Sequence, residues 1–147
     1  MKELLIPNNN ITHIIHIADV HIRTGDKERS RSVEYEHVFE NFIKQIKELD
    51  CVKNETALLF IAGDVFHNKG RFETEGSTIL FKFINDLLNL LPVLVIAGNH
   101  DFKQEDPSYI DTIEMMITPY QSNGNKYPIY YLDLTNHYVL KNNKNDK

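Results

Sequence analysis

A chain of 147 residues is long enough for one domain with its own core, and 41% hydrophobic with 25% charged residues is an ordinary globular composition. The net charge of −5 argues against a protein that coats nucleic acid by electrostatics alone, and no apolar run approaches the ~20 residues of a membrane helix. A single cysteine, Cys51, excludes an internal disulfide, and the N-terminal segment is too short and acidic for a secretory signal. We therefore expect an intracellular protein, in the cytoplasm or nucleus, without membrane association.

The first half of the chain alternates between strand and helix patterns. After a ragged, Asn-rich start, residues 12–18 are predicted to form a strand, and a polar loop follows over residues 23–32. Apolar residues then recur at the three- and four-residue spacing of one helix face, at Val38, Phe39, Phe42, Ile43, Ile46 and Leu49. A second apolar run predicts a strand over residues 57–62.

The same alternation continues in the second half. A polar loop over residues 64–74 precedes another amphipathic helix, whose apolar side carries Ile79, Leu80, Phe83, Ile84, Leu87, Leu88 and Leu91. Pro92 ends this helix, and residues 93–97 form the third predicted strand. A short helix is expected over residues 109–117, with its start at Asp106-Pro107, and two edge-like strands over residues 128–132 and 137–140.

This order of elements predicts an α/β fold with a parallel-type βαβαβ sheet. Three polar islands follow directly after the three apolar runs: Asp19-Val20-His21, Gly63-Asp64 and Gly98-Asn99-His100-Asp101. Since functional sites of such sheets form at the carboxyl ends of the strands, we expect the islands to meet at one edge.

The residue types in these islands are those of a metal site. Asp19 and His21 combine a carboxylate with an imidazole, a set that suits Mn, Fe or Zn better than Mg or Ca. Asp64 adds a carboxylate able to bridge two ions, and Asn99 adds a neutral amide oxygen. Each island alone has a simpler interpretation as a solvated turn, but their order and shared position after strands favour the metal site.

Two ions about 3.5–4 Å apart would clamp a phosphate diester and activate a water molecule. His100 would then protonate the leaving oxygen or stabilise charge on the phosphoryl oxygens, and Asp101 would orient the His100 imidazole and tune its charge. Gly63 and Gly98 would remove side chains where the backbone turns tightly.

The pattern Asp-x-His, Gly-Asp, Gly-Asn-His-Asp resembles the calcineurin-like metallophosphoesterase superfamily, over residues 14–132. The finer pattern resembles its SbcD-type double-strand-break repair nucleases, because His67 stands three residues after Asp64, where the superfamily often has Asp. The residues that carry the resemblance are Ile17-Ala18-Asp19-Val20-His21, Glu34-Tyr35, Val38-Phe39 and Gly63-Asp64-Val65-Phe66-His67-Asn68.

The resemblance implies a calcineurin-like sandwich and two divalent metal ions, most simply manganese. Asp19 and His21 would hold the first ion, Asp64 would bridge both, and Asn99 would hold the second.

The resemblance also implies roles on the substrate side. His100 would act on the scissile phosphate with the support of Asp101, and His67 would position the DNA phosphate. Lys69 and Arg71 flank the expected pocket and are candidate contacts to the DNA backbone.

The implied partners are DNA, an SbcC-type ABC ATPase and a second copy of the chain in a homodimer. The resemblance places the dimer contact on the last two predicted helices, where Phe81, Leu88, Met115, Met116 and Ile117 are the candidates and ordinary core residues the alternative.

One part of the family pattern is missing. The family completes its metal site with a later histidine and a Gly-His-x-His pair, but no Gly-His occurs in this sequence, and His137 is better explained as an exposed strand residue. We therefore expect residues 1–140 to be the N-terminal part of a metallophosphoesterase domain, or a truncated viral or degenerate version of one, followed by a polar tail over residues 141–147. Weak metal binding and little nuclease activity are expected of this chain alone.

Two other functions fit the same residues. One is a general metallophosphoesterase that acts on nucleotides or phosphoproteins. The other is a non-catalytic, truncated domain that dimerises or docks the ATPase, which the missing histidine pair favours.

Overall fold

The computed structural model describes residues 2–7, 10–24, 31–67, 74–101, 112–121, 124–132 and 137–142. The strands are β1 (Lys2–Ile6), β2 (His13–Ile17), β3 (Ala57–Ala62), β4 (Val93–Ile96), β5 (Ile129–Tyr131) and β6 (Tyr138–Asn142). The helices are α1 (Ser32–Glu48), α2 (Asp50–Lys53), α3 (Thr74–Leu88) and α4 (Thr112–Gln121).

Four strands form a parallel sheet in the order β2-β3-β4-β5, with helices between successive strands. The register pairs Ile17 with Ile61 and Ala62 with Ile96, so the carboxyl ends of β2, β3 and β4 lie at one edge. The predicted α/β fold is confirmed, and β5 lies at the other side of the sheet, as its edge-like pattern indicated.

The helices cover one face of this sheet. Alternate residues of the strands, among them Leu59 and Val95, pack there against α1, α3 and α4. Phe39 of α1 stacks on Phe83 of α3 with 4.1 Å between ring centroids, which joins the two helices above the sheet. β3 is apolar without alternation because residues on both of its faces are covered, as expected for a central parallel strand.

The opposite face carries a second, two-stranded sheet. β1 pairs with β6 in parallel over five residues, and Leu4 and Ile6 pack on Leu58 and Leu94. The sequence pattern does not predict β1, because the ragged start expected from it covers residues 7–10 and no strand is expected before it. β6 extends into the predicted polar tail, since Lys141 and Asn142 belong to it. The small sheet covers the face only in part: Ile14 remains 65% exposed.

The helix predictions hold with shifted details. Phe39 and Ile46 of α1 are buried, but Val38 is 61% exposed, because it lies at the flank of the stripe that faces the sheet. The six predicted core residues within α3 are all buried.

α4 spans Thr112–Gln121 rather than residues 109–117, and the expected start at Asp106-Pro107 lies outside the described residues. Of the five candidates for a dimer contact, Leu88, Met116 and Ile117 are buried in the core, Phe81 is half-buried, and Met115 is 51% exposed. Within the described ranges, no helix is long and apolar enough to span a membrane.

Candidate metal centre

The loops after β2 and β3 run side by side beyond the sheet edge. The backbone N–H of Asp19 donates to the Gly63 carbonyl at 3.3 Å, and that of His21 donates to the Asp64 carbonyl at 2.9 Å. Beyond them, Ile22 and Phe66 form a parallel bridge. This short ladder continues the β2–β3 pairing past the strand ends and fixes the distance between the first and second islands.

Three candidate ligands share an unusual backbone conformation. Asp19, His21 and Asp64 have φ angles of 53°, 48° and 51°, in the left-handed region that residues other than glycine seldom occupy. Such a conformation costs about 1–3 kcal/mol per residue and persists where surrounding contacts impose it, most often at functional sites. One of these contacts is the Tyr35 hydroxyl of α1, which donates to the His21 carbonyl at 2.7 Å.

Two glycines allow the loops after β3 and β4 to touch. A Cβ added at Gly63 would overlap the Gly98 backbone, and a Cβ added at Gly98 would overlap the Asp64 carboxylate. Gly63 also has a φ of 80°, which suits glycine best. The expectation that both positions need the absence of a side chain is therefore confirmed.

The first potential ligand group consists of Asp19, His21 and Asp64. One ligand atom from each lies within 4.8 Å of the others, and Nε2 of His21 is 3.6 Å from Oδ1 of Asp19. Asp19 is exposed while His21 and Asp64 are half-buried, so the group opens to solvent on the Asp19 side. Two carboxylates and an imidazole are a donor set that fits Mn, Fe or Zn.

Asn99 extends this group toward a second position. With its amide nitrogen turned to Asp64, Asn99 donates to Oδ1 and Oδ2 at 3.3 and 2.9 Å. With its amide oxygen turned there instead, three acceptor oxygens face one another, which is favourable only with a cation between them. The His100 backbone N–H donates to Oδ1 of Asp64 at 2.8 Å and fixes the carboxylate beside Asn99.

The remaining histidines stand beside this carboxylate group. His100 Nδ1 lies 2.7 Å from the His67 carbonyl oxygen, which can only accept, so Nδ1 carries a proton, and in the neutral ring Nε2 keeps the lone pair. The His21 and His100 rings lie 4.9 Å apart between centroids, and those of His67 and His100 lie 5.9 Å apart. The contact of His67 with His100 was not predicted, because it runs through a backbone carbonyl.

The expected contact of Asp101 with the His100 imidazole is wrong. Asp101 is 1% exposed, and its carboxylate accepts hydrogen bonds from the backbone N–H groups of Val65, Phe66 and Gly98 at 2.9–3.3 Å. Burial raises the pKa of the Asp101 carboxyl, and the hydrogen bonds offset this only in part. Asp101 thus joins the loops after β3 and β4. Its buried carboxylate contacts backbone N–H groups instead of the His100 imidazole.

The candidate DNA-binding residues Lys69 and Arg71 lie outside the described residues. Arg31, another cation near the first island, donates to Glu34 at 2.8 Å on α1, and this hydrogen bond raises the pKa of the guanidinium. His137 is exposed, in agreement with its interpretation as a surface residue.

Comparison with known proteins agrees with this architecture. The family model for calcineurin-like phosphoesterases matches residues 12–145. The chain is also 29% identical, over 133 residues, to an uncharacterized protein of Acanthamoeba polyphaga mimivirus. That match covers 90% of this chain but only 9% of the viral protein, so the chain corresponds to a small part of its relative. From its sequence match over nearly the whole length, the chain belongs to the calcineurin-like phosphoesterase family.

Proposed function

We propose that this chain carries the metal-binding edge of a manganese-dependent phosphodiesterase that acts on DNA, similar to the SbcD-type repair nucleases. The observation that carries the proposal is the convergence of Asp19, His21 and Asp64, all three held in left-handed backbone conformations at the carboxyl edge of the sheet. Membership of the family indicates metal-dependent phosphoester hydrolysis. DNA as the substrate is the additional part of this proposal.

The donor set supports two divalent ions that share Asp64. Asp19 and His21 would hold one ion, Asn99 the other, and manganese suits this mixture of carboxylate, imidazole and amide oxygen. When bound, such ions polarise the phosphoryl group and lower the pKa of bound water.

The other residues have roles that follow from their contacts. The His67 carbonyl orients the His100 ring, so that Nε2 of a doubly protonated His100 is a donor for the leaving oxygen. The His100 backbone N–H holds the Asp64 carboxylate in place. The Asp101 carboxylate links the loops after β3 and β4, because it accepts hydrogen bonds from the backbone N–H groups of Val65 and Gly98.

The preference for DNA rests on His67, whose ring lies 5.6 Å from the His21 ring between centroids and so borders the candidate centre. A histidine at this position can donate to a phosphate oxygen, and Lys69 and Arg71 follow it two and four residues later in the sequence. A homodimer and an SbcC-type ATPase partner are part of the same proposal and rest on the resemblance alone.

A non-catalytic domain is the second candidate, and one observation favours it. The described residues provide Asp19, His21, Asp64 and Asn99, and the sequence holds no Gly-His-x-His pair to complete two coordination shells.

Hydrolysis assays with Mn²⁺ distinguish these functions. We expect slow cleavage of single-stranded DNA, slower cleavage of bis(p-nitrophenyl) phosphate, and a loss of at least about tenfold in Asp64→Asn. The control is Asp86→Asn, which changes a carboxylate on α3. A preference for the small diester favours the general phosphoesterase, and a rate that Asp64→Asn leaves unchanged identifies contamination and favours the non-catalytic domain.

A further inference from the structure

Three imidazoles form a second potential ligand group at this edge. His21, His67 and His100 each offer a ring nitrogen, and these nitrogens lie within 4.8 Å of one another. All three side chains are half-buried, and the ring centroids are 4.9–5.9 Å apart. This group contains no carboxylate and shares only His21 with the group of Asp19 and Asp64.

The hydrogen bonds of the rings prepare them as ligands. His100 donates Nδ1–H to the His67 carbonyl at 2.7 Å, and histidines that bind metals almost always donate their other ring N–H in this way. Nδ1 of His21 is buried and has no hydrogen-bond partner among the described residues. Buried polar atoms are normally paired, so an unpaired imidazole nitrogen beside two other imidazoles is a donor atom suited to a cation.

The chemistry of three neutral imidazoles differs from that of the carboxylate group. Imidazole suits Zn, Cu, Fe and Ni, and three histidines with one open position are a known zinc arrangement. Zn–N bonds of about 2.0–2.1 Å hold tetrahedral ligands about 3.3 Å apart, so the rings need to close by no more than about 1.5 Å. Carboxylate and amide oxygens suit Mn or Mg instead.

We propose that His21, His67 and His100 form a nitrogen-only site that binds one late transition-metal ion, with Zn²⁺ as the best fit. Because His21 belongs to both groups, a zinc ion held by the three histidines competes with a manganese ion held by Asp19, His21 and Asp64. Zinc would thus displace manganese and occupy His100 as a ligand. The proposal does not depend on hydrolysis, since both ions are measured without substrate.

Paired binding measurements test the site in the full 147-residue chain. Zinc affinity is measured by competition with a chromophoric chelator, and manganese affinity by the electron paramagnetic resonance signal of the free ion. We expect His67→Ala to weaken zinc at least about tenfold while manganese binding changes less than about twofold. Asp64→Asn should instead weaken manganese binding at least about tenfold while zinc binding changes less than about twofold. The control is His37→Ala, at an exposed histidine of α1, which should change the affinity for neither ion.

A further readout reports the ligands themselves. Co²⁺ in place of zinc should give the intense visible absorption of a tetrahedral site, and this absorption should be lost in His67→Ala. If His67→Ala unfolds, His67→Gln serves instead, because it keeps a polar side chain without an imidazole. Zinc affinity that withstands loss of His67, or that falls equally in Asp64→Asn, would overturn the proposal, as would manganese that zinc fails to displace.

Discussion

The backbone of single residues determines how the candidate ligands meet. Asp19 and His21 are only two residues apart, and in an extended strand their side chains would share a face and run parallel. Left-handed φ angles at both positions turn the loop instead and bring both groups toward Asp64. The strained backbone is therefore part of the ligand geometry. Substitutions at the glycines that pack against these loops should disturb the ligand positions.

Gly98→Ala tests this sensitivity. The added methyl group would overlap the carboxylate and the backbone nitrogen of Asp64, so Asp64 must leave its present position beside His21 and Asn99. We expect a loss of about 1–3 kcal/mol in the free energy of unfolding and at least about a tenfold loss of manganese affinity. Gly124→Ala is the matched control, since a Cβ there has no described atom within 4 Å. Equal manganese affinities in the two variants would contradict the prediction.

Asp101→Asn tests the buried carboxyl through pH. Because burial raises its pKa above the ordinary 3.8, the folded protein holds this proton more tightly than the unfolded chain does. The resulting stabilisation is complete below about pH 3.8 and is lost as the pH rises through the raised pKa. The wild type should therefore lose its stability advantage over Asp101→Asn as the pH rises, so the difference between their free energies of unfolding should become smaller. Denaturant titrations from about pH 3 to pH 7 measure it, and a difference that grows with pH would contradict the assignment.

These residues also show what the sequence can predict at this level. Convergence of Asp19 and Asp64 followed from the polar islands, because parallel strands end at a common edge. The direction of Asp101 did not follow, because it depends on which amides the turn exposes behind the loop. The contact of His100 with the His67 carbonyl is equally invisible in a sequence, since every residue has a carbonyl.

Helix α1 supports the metal-binding edge through one side chain. Its Tyr35 hydroxyl donates to the carbonyl of His21, whose φ angle is 48°. The helix itself is held by Phe39, which stacks on Phe83 of α3. Because α1 is fixed by packing against α3, its hydrogen bond from Tyr35 restrains the strained loop that carries His21.

Tyr35→Phe should separate this support from simple stability. Loss of the hydroxyl removes one hydrogen bond, worth about 0.5–1.5 kcal/mol, and should also lower manganese affinity because the His21 turn is less constrained. Tyr130→Phe is the matched control, since its hydroxyl donates to the Leu5 carbonyl at 2.6 Å on the opposite face of the sheet. Both variants should lose similar stability in denaturant titrations, and only Tyr35→Phe should bind manganese more weakly. Equal affinities would show that the hydroxyl has no part in the site.

The strands and helices were predictable where apolar periodicity was long and regular. α3 carries six buried apolar residues at helical spacing and matched its pattern well. β1 was missed because its alternation is short, with only Leu4 and Ile6 facing inward, and an Asn-rich segment follows. Its partner β6 lies over 130 residues away, and sequence patterns contain no information about such pairing.

The two faces of the four-stranded sheet are covered by different elements and differ in their contacts with the metal-binding edge. Helices α1, α3 and α4 build the larger core on one face, and contacts from α1 reach the ligand loops. The β1–β6 sheet builds a smaller core around Leu4, Ile6, Leu58 and Leu94 on the other face. The structure therefore predicts that the second face contributes stability without tuning the metal centre.

Leu4→Ala examines this division directly. Leu4 is 7% exposed and packs with Leu58 and Leu94, so the truncation should cost about 2–5 kcal/mol in the free energy of unfolding. Leu5→Ala, at a neighbouring residue that is 49% exposed, should change stability by less than about 0.5 kcal/mol. Manganese affinity, measured where both variants remain folded, should equal that of the wild type, because the hydrogen bonds of the described ligand-loop residues run to α1 and to one another. A single unfolding transition that shifts in Leu4→Ala would show that both sheets unfold together, whereas an unshifted transition would mean that the small sheet contributes nothing to the cooperative unit.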